Sequence, residues 1–181
     1  MMGTPHFTSQ QIIQISGFVS RYITTQRHKF LGRCVRLTRE QRAALDGFFS
    51  PRLLDGVGVV KLDGLRVANP SFYPMLAEMG FANLPDFSQM AAITFSDVVV
   101  SHVPFANGLL FRELLHVEQY RRLGIPRFAE LYVQGFLSVD GYDSIQLEVH
   151  AYELGARFEA SPRQQFLVTD EVLDWIWERR Y

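Results

Sequence analysis

Cysteine is almost absent from this 181-residue chain; Cys34 is the only one. No intramolecular disulfide can form, and no zinc cluster built on several cysteines is available. A lone thiol suits a reducing compartment. Long apolar runs are missing too, and no stretch approaches the ~18 apolar residues that a membrane-spanning helix needs. Neither sign of charge dominates: 18 Lys and Arg stand against 19 Asp and Glu, for a formal net charge of -1. Nucleic-acid binders normally carry a basic excess or patch, so this balance speaks against one. Met1–Gln11 is polar and lacks the basic start and apolar run of a signal peptide. The expectation is a cytoplasmic protein with neither a membrane nor a nucleic acid as partner. Internal repeats, low-complexity tracts and Pro-, Gly- or Ser-rich linkers are also lacking, which predicts a single domain over 1–181.

What is present is a composition able to build a core, 48% apolar and 13% aromatic with Phe dominant. So many aromatics predict a dense interior or an apolar groove. Ser9–Thr24 places Ile12, Ile13, Ile15, Val19 and Ile23 at mostly helical spacing. Thr38-Arg39-Glu40-Gln41 is a capping-box pattern that opens a helix to about Phe49, with Ser50-Pro51 read as its end. Gly56–Leu62 reads as a short strand closed by Asp63-Gly64. Asn69–Asp86 holds three of the eight prolines and reads as irregular, with one helical turn at Met75–Met79. Ala91–His102 alternates and is rich in β-branched residues, the pattern of a strand stopped by Pro104. Helices follow at Asn107–Leu123, Pro126–Phe136, Ser144–Ala160 and Asp170–Arg180. The last has acids early and arginines late, as the helix dipole favours. The fold class is α+β, helix-rich, with a small sheet.

On a helical wheel, Asn107–Leu123 is apolar over much of its circumference, with Glu118, Arg121 and Arg122 as the solvent strip. A helix of that kind is largely buried. Arg112, Glu113, His116, Gln119 and Tyr120 nevertheless share an arc of roughly 120°. Five polar or polar-tipped side chains on a buried helix need partners, as a functional site or as a structural polar network. On Ser144–Ala160, Gln146, His150, Glu153 and Arg157 form a strip read as the solvent face, while Leu147, Leu154 and Phe158 form an apolar one. Glu148 leaves the polar strip to sit beside Ala151, Tyr152 and Gly155, whose small members let another group approach closely. An acid placed there needs a reason to be there.

Arg112-Glu113-Leu114-Leu115-His116-Val117-Glu118-Gln119 resembles the His-Glu-x-x-His-Val-x-Gln helix of zincin-like metallopeptidases. Glu148 is similar to the third-ligand Glu of their gluzincin branch, and the strand Ala91–His102 to the one beside their substrate cleft. The resemblance covers 91–158, the motif core, with 1–90 supplying N-terminal helices and a strand and 168–181 a C-terminal helix. It implies a small sheet packed on the motif helix. It also implies His116 and Glu148 as metal ligands, Glu113 as general base, and Gln119, Tyr120 and Tyr152 lining the site. Arg112 stands at the position of the first ligand His. A guanidinium is permanently cationic and offers no lone pair, so it cannot bind zinc. His150 is the nearest candidate in sequence to replace it but is poorly placed, about 200° round the helix from Glu148 on the solvent strip. His102 is better placed sterically but has neither motif nor spacing in its favour.

Two acids facing each other without a cation are costly, and a guanidinium can bond both. The sequence therefore predicts that Arg112 pairs with Glu148, Glu113 or both, and that no cofactor is bound. Three functions compete. The first is a degenerate metallopeptidase-like domain, a pseudoenzyme that keeps a cleft for a peptide or protein. The second is an active zinc-dependent hydrolase with a shifted ligand set and Glu113 as base. The third is a structural or oligomerising domain that uses aromatics near Trp175 and Trp177. Oligomeric state stays open.

Overall fold

Thr8 begins the first helix through a full capping box: its hydroxyl accepts from the Gln11 amide and the Gln11 side chain bonds back. From there α1 (Ser9–Leu31) runs past the expected stop at Thr24. Gln26 and Phe30 continue the buried stripe of Ile15 and Ile23, and the Thr24 hydroxyl is satisfied by the Ser20 carbonyl at 2.9 Å. The computed structural model describes residues 7–81, 84–137 and 145–181. The expected start of a helix at Ser144, the first six residues and positions 82–83 of the irregular stretch lie outside them.

Thr38 caps α2 (Arg39–Leu45) as the motif predicts, but this helix stops short of Phe49. Asp46 turns extended and Gly47 takes φ 82°, which carries Phe48 and Phe49 into the core. Ser50-Pro51 is then a start rather than an end. The Ser50 hydroxyl caps α3 (Pro51–Gly56), and proline at the first turn needs no amide partner.

β1 (Gly58–Lys61) matches its expected position, and α4 (Tyr73–Glu78) is the turn of helix foreseen in the irregular stretch. The single strand expected over Ala91–His102 is a hairpin, β2 (Ala92–Phe95) and β3 (Val98–Ser101). Ser96, at φ 65°, and Asp97 make a two-residue turn between them. The Asp97 carboxylate accepts two bonds from Arg27 of α1, at 2.5 and 2.8 Å, which ties the turn down. The sheet order is β1-β3-β2, with β1 parallel and β2 antiparallel to β3.

Alternation divides this sheet between two helices. Val59 and Val99 join Leu110, Phe111, Leu114 and Leu115 of α5 (Asn107–Phe136). Val60, Val98 and Val100 join Ile23 and Phe30 of α1. The small sheet therefore packs on the motif helix, and the fold is α+β and helix-rich. Gly124, at φ 74° and ψ 160°, breaks α5 at the expected place, and Pro126 sits inside its second half. α6 (Gln146–Ala160) buries Leu147, Ala151, Leu154 and Phe158. α7 (Val168–Trp177) buries Val168, Val172 and Trp175. Phe111 stacks on Phe158 at 4.4 Å, with Phe48 edge-on to both. Trp175 belongs to this interior, whereas Trp177 is 88% exposed, so the two do not form one surface patch. Among the described residues no helix is long and apolar enough to cross a membrane.

Candidate functional site

Among the described residues β2 is the outermost strand on one side of the sheet, and a cleft of about 410 Å³ runs beside it. α5 lines the cleft with Arg112, Glu113, His116 and Tyr120, and α6 with Glu148, Ala151 and Tyr152. Ala91–Phe95 form another wall, and Val19, Tyr22, Phe87, Phe128 and Tyr132 make an apolar one. Its size is that of a small-molecule or side-chain pocket. Except for Gln119, the residues singled out in the sequence meet here. Gln119 is fully buried behind His116.

The hydrogen bonds show what that glutamine does. Its Nε2 donates to the Leu147 carbonyl at 3.1 Å, which fixes the amide and turns Oε1 towards His116 Nδ1 at 2.8 Å. Nδ1 must therefore carry a proton, and Nε2 faces the cleft. Nε2 lies 3.4 Å from Glu148 Oε2. Burial opposes a charge on this imidazole, but the Glu148 carboxylate, Glu113 and the Gln119 oxygen outweigh it and lift its pKa to about 9. Glu113 is 8% exposed, and the Thr94 hydroxyl of β2 donates to its Oε2 at 2.7 Å. Burial raises the Glu113 pKa, against the lowering effects of His116, Thr94 and Arg112. Tyr120 stacks on Phe128 at 3.7 Å, and burial holds its phenol neutral.

Arg112 departs from expectation. Among the described residues, no ion pair includes it. Its guanidinium lies over the Tyr152 ring, 4.8 Å from the centroid. The aliphatic stem crosses Gly155 so closely that a Cβ there would come within 2.7 Å of Cγ. The expected bond to Glu148 or Glu113 fails because each acid already has a nearer partner: His116 stands beside Glu148 and Thr94 satisfies Glu113. A ring face offers the displaced cation a favourable seat. The expectation that small residues on α6 admit a neighbour closely holds at Gly155.

The donor set does not fit a catalytic zinc. His116 and Glu148 are two donors where a catalytic zinc takes three protein ligands, and Arg112 beside them has no lone pair to give. Among the described residues, no group of three or more His, Cys, Asp or Glu is placed to hold a metal ion. His102 is no substitute: its Nε2 accepts from the Val67 amide at 3.0 Å and its Nδ1 bonds the Met90 carbonyl at 2.6 Å.

Two solvent strips read from the wheels prove to be partly interior. His150 is buried, stacked on Trp175 at 5.1 Å and 2°, and burial lowers its pKa to about 4. Glu118 is fully buried and accepts from Arg121, Arg122 and Thr169. In both cases α7 covers the face that a single helix leaves open. Thr94 was not foreseen, although the alternation that put it opposite Ile93 was an available signal; an apolar groove was one reading of the aromatic content, but its residues were not named. No family model, no curated protein and no solved structure matches this chain.

Proposed function

We propose that this chain is a metallopeptidase-like domain that binds an extended peptide or protein segment in its cleft and does not cleave it. The observation that carries this reading is the outermost strand β2 beside Arg112, His116 and Glu148. The His102 amide bonds the Ala91 carbonyl at 2.8 Å, so the antiparallel ladder alternates and Ala92 and Thr94 turn their backbone groups away from β3. An extended segment can add there as a further strand, with side chains reaching the cleft walls. Arg112 at the first-ligand position supports loss of the hydrolytic step. A free Cys34 supports a reducing cytoplasm as its compartment.

Incubation with a library of unstructured peptides in excess zinc tests this reading. Mass spectrometry is expected to find peptides retained and uncut. Ala92→Pro, which deletes an outward amide, is expected to weaken retention about tenfold. Cleavage of the retained peptides would contradict it.

One observation favours a second reading, an active zinc hydrolase with Glu113 as base. Two ligands at ~2.1 Å from a tetrahedral ion lie about 3.4 Å apart, and His116 Nε2 and Glu148 Oε2 have that 3.4 Å separation. Those two positions retain ligand spacing even though the third does not.

A further inference from the structure

The charges in the cleft are unevenly matched. His116 stands against Glu148, and Glu113 is held by Thr94. The guanidinium of Arg112 has no carboxylate partner among the described residues, unlike those of Arg27, Arg121, Arg122 and Arg127, which pair with Asp97, Glu118 and Glu130. It is also held in place rather than loose. Gly155 takes its stem and Tyr152 takes one face of its plane. A guanidinium resting on a ring keeps its in-plane N–H groups for a planar anion, and a carboxylate is the best match in shape.

The rest of the cleft asks for something different. Tyr22, Phe87, Phe128 and Tyr132 make an aromatic wall within the same cavity. Beside both runs the outward backbone of Ala92 and Thr94. A single residue that carries a carboxylate, an apolar side chain and a backbone amide answers all three. An internal Asp or Glu needs a second residue, two positions away on the same face, to supply the apolar side chain.

We infer that the cleft recognises the C-terminal residue of a peptide, its free carboxylate on Arg112, its apolar side chain against the aromatic wall and its backbone along β2. This rests on the peptide-binding reading above and narrows the ligand class.

Calorimetry with N-acetyl-Ala-Ala-Phe acid, its C-terminal amide, N-acetyl-Ala-Ala-Gly acid and 3-phenylpropionate tests the inference on the intact chain. The Phe acid is expected to bind at least about tenfold more tightly than each of the other three. In Arg112→Gln the preference of acid over amide is expected to collapse towards unity. The acid-to-amide ratio is read on the unaltered protein, so a variant that misfolds does not remove the test. Equal binding of acid and amide overturns the inference but leaves peptide binding standing, as does binding confined to longer internal segments. If 3-phenylpropionate binds as well as the peptide acid, the ligand is a small carboxylic acid and the peptide assignment fails. If neither these probes nor the unstructured library binds, both readings fall.

Discussion

At position 112 a guanidinium stands where the motif that α5 resembles has an imidazole, and the consequence is felt at His116. With Gln119 accepting the Nδ1 proton, Nε2 meets the Glu148 carboxylate favourably when it carries a proton as well. The imidazolium thus takes the compensating role that sequence reasoning gave to Arg112. Its pKa rises from 6.5 to about 9, so the folded state binds the proton more tightly than the unfolded chain does. The stability this gives is fully present below pH 6.5 and is lost as pH rises through about 9. Nitrogen NMR of the His116 ring is expected to report both nitrogens protonated at neutral pH. A neutral ring at that pH would mean that Glu148 does not act on it. The polar arc of α5 was legible because helical spacing alone brings Arg112, Glu113 and His116 together. Their partners were not, since Thr94 reaches Glu113 from a strand and Tyr152 reaches Arg112 from another helix.

Between elements, the least expected link is that of α5 to α7. Glu118 accepts from Arg121 and Arg122 on its own helix, at 2.8 and 2.7 Å, and from Thr169 of α7 at 3.0 Å. Removing the carboxylate in Glu118→Ala leaves a cavity and a hydroxyl without its acceptor. The expected cost is about 3 kcal/mol, read as a lower midpoint in urea. A change within a few tenths of a kcal/mol, which is ordinary for surface substitutions, would show that the link is dispensable. A wheel could not reveal this burial, because it sorts faces of one helix without showing what packs on them. His150 was misread for the same reason, its cover being Trp175. The hairpin was missed on different grounds. Ser96-Asp97 holds neither Gly nor Pro, and the bond that fixes the turn comes from Arg27, 70 residues away in sequence.

Across the whole molecule, α1 and α5 sandwich the sheet, and among the described residues β2 is its outermost strand on the side of the cleft, where α6 brings Glu148 to another wall. The fold class and most helices were readable from periodicity and caps, as at Thr8 and Thr38. Where α1 ends and how α3 begins depended on Phe30 and Ser50 finding partners in the folded chain. His116 and Glu148 stand together in the cleft, and the neighbouring Arg112 offers them no third ligand. The decisive measurement is zinc content, taken side by side on the purified protein and on Arg112→His after saturation and desalting. Far less than one equivalent is expected in the unaltered chain and roughly one equivalent in the variant, where a second imidazole joins His116 and Glu148 to make three ligands. One equivalent of zinc held by the unaltered chain would contradict that expectation.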